Sequence, residues 1–323
     1  MMPDMELVGV VKTRPDYSAR LAMEMGVRIY TLEGREKLFR EKGLDVAGTL
    51  RNLLEEIDVV VDATPGGVGA SYRSLYMEYN RGNGLKTIFQ GGEKPEIAEA
   101  SFNAYCNPEE AVGKNSVRVV SCNTTGLLRL ICTLDRAFGV ERVRATIIRR
   151  AADPREDKRG PVNSIKPNPV EIPSHHAVDA KTVIPHIDIE TAAVIVPTTL
   201  MHVHSVYMVL KKEATLEDVV SVLGEKKRIL LIDSEETGID STAKIIEAAR
   251  DAGRKRYDVP ELVIWRDSIM VRGREVWLLQ AVHQESIVVP ENIDAIRGLM
   301  GVEGYPEKSI SLTDEILGLG KLF

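Results

Sequence analysis

Ile57-Asp58-Val59-Val60-Val61-Asp62 is an apolar run of the length of one buried strand, and the stretch before it, 49–56, reads as a helix. Working outward, Leu7-Val8-Gly9-Val10-Val11 is a second such run, followed by a helical stretch over 16–25. Thr87-Ile88-Phe89-Gln90 and 117–121 are two more. Short apolar strands separated by helices require crossover connections, which give a parallel sheet covered on both faces. The first third of the chain therefore reads as a doubly wound nucleotide-binding domain of the α/β class.

After Cys122 the texture changes. A helix is expected over 123–138, with Leu127, Leu128, Ile131 and Leu134 on one face. Strands are expected at 142–150, 192–197, 203–210, 228–233 and 261–265, then a hairpin of 268–271 and 275–282 turning at Gly273. Strands in succession with fewer helices suggest an α+β catalytic domain with a mixed or antiparallel sheet. The proline-rich polar stretch 151–179 reads as a long functional or disordered loop. A helix starting near Pro290 and running to 300 is expected to pack back on the first domain. The expected boundaries are 1–121, 122–285 and 286–323.

The length of 323 residues allows two domains, and 44% hydrophobic with 28% charged residues is ordinary for a soluble globular protein. A net charge of -6 argues against nucleic-acid or membrane-surface binding through bulk charge, although the basic cluster at 142–159 leaves room for a local anion site. The apolar runs 57–63 and 192–197 are too short to cross a bilayer, and no secretory leader precedes the first strand. Three cysteines do not suggest a disulfide framework, so a reducing cytoplasm is the expected location. No internal repeat is visible.

Ser121-Cys122-Asn123-Thr124-Thr125-Gly126 lies where a strand ends and a helix begins. Unpaired backbone N–H groups and the helix dipole there are expected to stabilise a thiolate and lower the pKa of Cys122. A small buried cysteine near a helix start is the alternative. Cys132, mid-helix among apolar residues, and Cys106, before Asn107-Pro108, read as structural. A thiolate needs a proton partner, and six histidines are available. His202 and His204 alternate along a strand beginning and are read as pointing to opposite faces, so that only one faces Cys122. His186 reads as solvent-exposed, and His283 as structural or as orienting Gln284. Ser174-His175-His176-Ala177 offers N–H groups and imidazoles to an anion. The adjacent histidines lack carboxylate or cysteine ligands nearby and are poor zinc spacing, so no metal is expected. Arg149 and Arg150 alternate faces at a strand end.

Ser-Cys-Asn-Thr-Thr at 121–125 resembles the nucleophile motif of glyceraldehyde-3-phosphate dehydrogenases. Phe89-Gln90-Gly91-Gly92-Glu93-Lys94, Ile148-Arg149-Arg150-Ala151-Ala152-Asp153, Pro173-Ser174-His175-His176, Pro197-Thr198-Thr199-Leu200-Met201-His202 and Ala281-Val282-His283-Gln284-Glu285-Ser286 are similar to the archaeal, phosphorylating branch. The resemblance implies that Cys122 attacks the aldehyde, that His202 is the base, and that inorganic phosphate releases the product. It implies substrate contacts at Ser121, Cys122, Asn123, His176 and Ala177, and cofactor contacts at Gly92, Arg150 and Gln284. It also implies a homotetramer. It places Met1 at the run-up to the family's second strand, with roughly twenty residues of strand and G-x-G-x-x-G turn not represented; a start assigned too far downstream is the expected reason, a true truncation the alternative. Gly66-Gly67-Val68-Gly69 lacks the spacing to replace that turn. Where NAD enzymes carry an acid after the strand that ends at Val11, this chain has Lys12-Thr13-Arg14, suited to a 2′-phosphate, so NADP is expected, with NAD also used. A related semialdehyde or acyl-phosphate dehydrogenase, or a non-catalytic binding protein on the same scaffold, are the alternatives.

Overall fold

A computed structural model describes residues 2–152, 163–320 and 322. In the first third, β1 (Val10–Val11), β2 (Ile29–Thr31) and β3 (Gly48–Thr49) form one parallel sheet in that order. β4 (Val59–Asp62), β5 (Lys86–Gln90), β6 (Ala100–Phe102) and β7 (Ser116–Val119) form a second parallel sheet, ordered β4-β5-β7-β6. The crossovers carry α1 (Tyr17–Glu24), α2 (Glu36–Arg40), α3 (Leu50–Glu56) and α4 (Gly69–Asn83). Local sequence sets the helix starts. The Asp16 carboxylate accepts the Ala19 N–H at 2.9 Å to cap α1, and Thr49 with Asn52 forms a reciprocal capping box on α3. β1 and β4 share no ladder, so the sheet parts between them, at the position the first strand holds in a 3-2-1-4-5-6 order. Side chains bridge the parting: Val11 and Val60 pack on one cluster with Leu50, Leu54 and Phe89.

α5 (Cys122–Phe138) leads into the second unit, with β8 (Val140–Arg150), β9 (Lys166–Pro167), α6 (His175–Lys181), β10 (Asp188–Val196) and β11 (His202–Leu210). α7 (Leu216–Gly224), β12 (Ile229–Ile232), α8 (Ser234–Thr237), α9 (Thr242–Asp251), β13 (Leu262–Trp265), β14 (Met270–Arg272) and β15 (Glu275–Val282) follow. The strands form a mixed sheet, ordered β12-β13-β15-β11-β8-β10-β9 with β14 beside β15. β8 and β10 are parallel, whereas β11 runs antiparallel to both β8 and β15. The β14–β15 turn is made at Gly273, whose φ of 59° is open to glycine at little steric cost. α5 lies on this sheet so closely that a Cβ at Gly126 would come within 2.5 Å of Val282 Cγ2. At the end of the chain, α10 (Val289–Leu299) packs against β5 and β7, and α11 (Glu307–Ile316) packs on α10.

Two expectations change. The loop expected over 151–179 is interrupted, since α6 already begins at His175; the stretch 153–162, with part of the basic cluster, lies outside the described residues. The absence of disulfides is also overturned, because Cys106 and Cys132 are bonded to one another, with Cα atoms 5.5 Å apart. An odd cysteine count hid one pair and one free thiol. Cys106 follows β6 and Cys132 lies on α5, so the bond ties the edge of the second parallel sheet to the helix that carries Cys122. It closes a loop with a sequence separation of 26. The double variant Cys106→Ser/Cys132→Ser is expected to lose about 3 kcal/mol of unfolding free energy in chemical denaturation. A change below about 0.5 kcal/mol would show that the bond adds nothing to the fold.

Candidate active site

The strand-to-helix junction after β7 places the free cysteine. Ser121 is extended at ψ 162°, and its hydroxyl accepts the Thr124 N–H at 3.5 Å, which starts α5 with Cys122 as its first residue. The junction is crowded: a Cβ on Gly91 would fall 2.1 Å from Ser121 N, so only glycine fits there. Asp179 of α6 accepts the Ser121 N–H at 3.5 Å and the Arg118 guanidinium at 2.5 Å, fastening the junction from the side.

His202 Nε2 lies 3.9 Å from Cys122 Sγ. The ring is held on its other side, where Nδ1 accepts the Arg150 backbone N–H at 3.1 Å. A neutral imidazole carries one proton, so this hydrogen bond leaves it on Nε2, which donates to Gln284 Oε1 at 2.6 Å. His202 is 2% exposed, and burial drives its pKa well below the ordinary range, with the nearby His204 ring and the Arg150 and Arg149 guanidinium groups acting in the same direction. At rest the ring is neutral and set to donate toward the sulfur side.

The structure corrects two readings. The helix terminus was expected to lower the Cys122 pKa, but the thiol is pushed up to about 11. Burial disfavours the thiolate more than the Asn123 backbone N–H, Arg149 and Arg150 favour it, and Glu285 adds repulsion. His202 and His204 were read as facing opposite ways, yet both turn to the start of α5, His204 Nε2 reaching Asn123 Oδ1 at 2.9 Å. Side chains two apart on a strand share a face.

The other candidates divide. Asn123, His176 and Ala177 are 2%, 1% and 0% exposed, and each is engaged: Asn123 Nδ2 with His176 Nε2 at 3.5 Å, and the Ala177 N–H with Thr191 Oγ1 at 3.1 Å. Arg150 pairs with Glu285 at 3.3 Å. Gly92 lies against Gly66, where a Cβ would come within 2.7 Å of the Gly92 carbonyl oxygen. Lys12 Nζ donates to Ser18 Oγ at 2.6 Å, and the Thr13 carbonyl accepts from Arg35 at 2.9 Å; neither residue has a hydrogen bond to the Cys122 cluster among the described residues. His186 is exposed and paired with Asp135 at 3.0 Å, while His283 bonds Ser286 at 2.6 Å. Sequence reasoning named Arg149 beside Arg150 at a strand end but gave it no role of its own. Its Nη1 donates to Asn168, its Nε is buried without a partner among the described residues, and its charge acts on both Cys122 and His175. The signal was the Arg-Arg pair itself, although strand alternation assigns only one of the two to the cysteine, whereas both charges act on it.

The donor set suits a nicotinamide dinucleotide at the end next to the sulfur. The Gln284 carboxamide sits on the ring that faces Cys122, and the loops bearing Gly66 and Gly92 pass at a distance that leaves no room for a side chain. Arg149 and Arg150 bring positive charge to the surroundings of the sulfur.

Two measurements check these protonation states. Alkylation of Cys122 by iodoacetamide is expected to rise about tenfold per pH unit and to level off only near pH 11; a plateau near neutrality would contradict a half-buried thiol held neutral. His176, His202 and His204 are all depressed by burial, to about 2, well below normal, and to about 3. The unfolded chain therefore binds protons that the folded one does not. Stability present above about pH 6.5 is lost as the pH falls below it, by about 1.4 kcal/mol per unit for each ring. Denaturant midpoints that stay level between pH 7 and pH 5 would exclude buried neutral imidazoles.

Comparison with known proteins agrees with this geometry. A family model described as glyceraldehyde 3-phosphate dehydrogenase, C-terminal domain, matches residues 121–268, the stretch that holds Cys122, Arg149, His176 and His202. Proteins named glyceraldehyde-3-phosphate dehydrogenase are 59% identical in Hyperthermus butylicus, 55% in Aeropyrum pernix and 53% in Sulfurisphaera tokodaii, each over 99% of this chain and 92% of the relative. Among solved structures, aspartate semialdehyde dehydrogenase II from Vibrio cholerae aligns with a TM-score of 0.61 at 13% identity, covering 97% of this chain and 99% of that one, a likeness of fold. With a cysteine and histidine facing one another at a strand-to-helix junction and relatives this similar along nearly its whole length, the chain belongs to the glyceraldehyde-3-phosphate dehydrogenase family.

Proposed function

We infer that this chain oxidises and phosphorylates D-glyceraldehyde 3-phosphate to 1,3-bisphosphoglycerate in glycolysis and gluconeogenesis, through a thioester on Cys122. The observation that carries the reading is the free Cys122 sulfur 3.9 Å from His202 Nε2, with Arg149 acting on both the sulfur and His175. Ser121, Cys122, Asn123, His176 and Ala177 form the substrate side, and Gly92, Arg150 and Gln284 the cofactor side. Domain limits of 1–121, 122–285 and 286–323 are part of the reading, supported by the junction at Cys122 and the return of α10 to β5 and β7.

The bound nicotinamide dinucleotide supplies the hydride acceptor. The chain's own residues do the remainder. The half-buried thiol of Cys122 releases its proton to solvent, and the sulfur bonds to the aldehyde carbon as the carbonyl π bond breaks, leaving the oxygen as an alkoxide. The Nε2–H of His202 leaves Gln284 to donate to that oxygen. This assigns the ring the part of a donor, where the family resemblance implied a base, because the Arg150 N–H occupies Nδ1. Loss of hydride leaves the Cys122 thioester. Arg149 holds the attacking inorganic phosphate, whose oxygen bonds to the acyl carbon as the carbon–sulfur bond breaks and Cys122 leaves as thiolate.

Lys12 and Thr13 at the end of β1 support NADP, with NAD also accepted. A homotetramer in the cytoplasm completes the reading; no helix among the described residues is long and apolar enough to cross a membrane. The Cys106–Cys132 bond removes the cysteine count as a support for that location.

Cys122→Ser is expected to lower turnover by about 10⁴-fold or more while cofactor binding persists, and retained turnover would sink the assignment. Wild-type activity with this aldehyde should depend on inorganic phosphate; a preference for an amino-acid semialdehyde would move the chain to another reaction. Lys12→Asp should shift the NADP-to-NAD ratio of kcat/KM about tenfold toward NAD, and an unchanged ratio would remove Lys12 from cofactor choice.

A further inference from the structure

A line of buried side chains runs from the mixed sheet through the first turn of α5. Gln280 Nε2 on β15 donates to His204 Nδ1 at 3.0 Å, and His204 Nε2 donates to Asn123 Oδ1 at 2.9 Å. Asn123 Nδ2 donates to His176 Nε2 at 3.5 Å, and His176 Nδ1 donates to Ser174 Oγ at 3.1 Å. Ser174 Oγ donates to Thr191 Oγ1 at 2.7 Å. None of the six is more than 2% exposed. A neutral imidazole has one donor and one acceptor nitrogen, so the direction set at the Gln280 amide passes unbroken to Thr191.

Asn123 is the member that matters for chemistry. It directly follows Cys122, and its own backbone N–H is turned on the sulfur, favouring the thiolate. Its side chain is gripped from two elements at once, by His204 of β11 and by His176 of α6. A residue held on both sides of its amide cannot swing, and its N–H keeps its aim.

We propose that His204 is a positioning residue for Cys122, its Nε2–H fixing the Asn123 side chain and, through it, the backbone N–H that faces the sulfur. The inference rests on Cys122 being the nucleophile. His202 from β11, Arg149 and Arg150 from β8, and Glu285 beyond β15 also face the sulfur, and a change at His204 removes none of them.

The test is the rate of Cys122 alkylation at about pH 8, which reads the sulfur whether or not an aldehyde is turned over. His204→Leu removes the donor and should slow alkylation about tenfold, the worth of one hydrogen bond to a charged group. His204→Gln places an amide N–H where Nε2 was and should restore the rate to within about twofold. In turnover, kcat should fall in the Leu variant and recover in the Gln variant. Equal alkylation in a folded Leu variant and the parent overturns the proposal, as does a loss that Gln fails to rescue. Nitrogen NMR of histidine-labelled parent protein checks it without any substitution needing to fold: His204 should carry its proton on Nε2 and His176 on Nδ1, and the opposite tautomer in either ring overturns it. Retained turnover in Cys122→Ser would instead refute the functional reading and leave the alkylation result standing.

Discussion

The structure depends on one buried carboxylate. Glu291 of α10 is fully buried and accepts hydrogen bonds from Arg129 of α5 at 2.8 Å, from Arg228 at 3.4 Å and from the Ala104 backbone N–H at 2.6 Å. Burial alone would raise its pKa, but the two guanidinium groups hold it below the ordinary value. Arg228 continues the network to Asp314 at 2.6 Å and Asp294 at 2.5 Å, and lies over the Tyr105 ring at 5.6 Å. Arg297 joins Asp4 at 2.7 Å and Thr313 at 2.6 Å. The first domain, the helix of the nucleophile and both C-terminal helices thus meet at one ionic hub. Net stabilisation from such a cluster is modest once desolvation is counted, yet leaving one member unpaired costs about 3–5 kcal/mol. Its effect is therefore on geometry: α5 has one place to sit.

That fixed helix explains the chemistry at its start. A low-dielectric surrounding strengthens each hydrogen bond around Asn123 and His202, and the same surrounding keeps the thiol protonated and the imidazoles neutral. The resting site is a set of oriented neutral dipoles beside the charged Arg149, Arg150 and Glu285, the Arg149 Nε lacking a partner among the described residues. Orientation prepared in this way acts when negative charge develops, on the sulfur or on an oxygen bonded to carbon, without reorganisation at that moment.

Much of the fold was legible in sequence because local rules decided it. The alternation of apolar strands and helices in the first third, the Asp16 and Ser121 caps and the Gly273 turn each follow from residues within a few positions of one another. α4 escaped notice because only Gly69 and Tyr76 of its fifteen residues are buried, so it has little apolar periodicity to read. Cys122 was legible from its neighbours, and His202 only through resemblance, because nothing local distinguishes it from His204.

Sequence by itself determined the element types and the class of fold and singled out Cys122 as the candidate nucleophile, since strand period, capping and helix-start chemistry act over a few residues. Tertiary structure alone decided the pairing of Cys106 with Cys132, the same-face placement of His202 and His204 against α5, and the protonation of the site. Those depend on which residues distant in the chain meet, and on how much water their meeting removes.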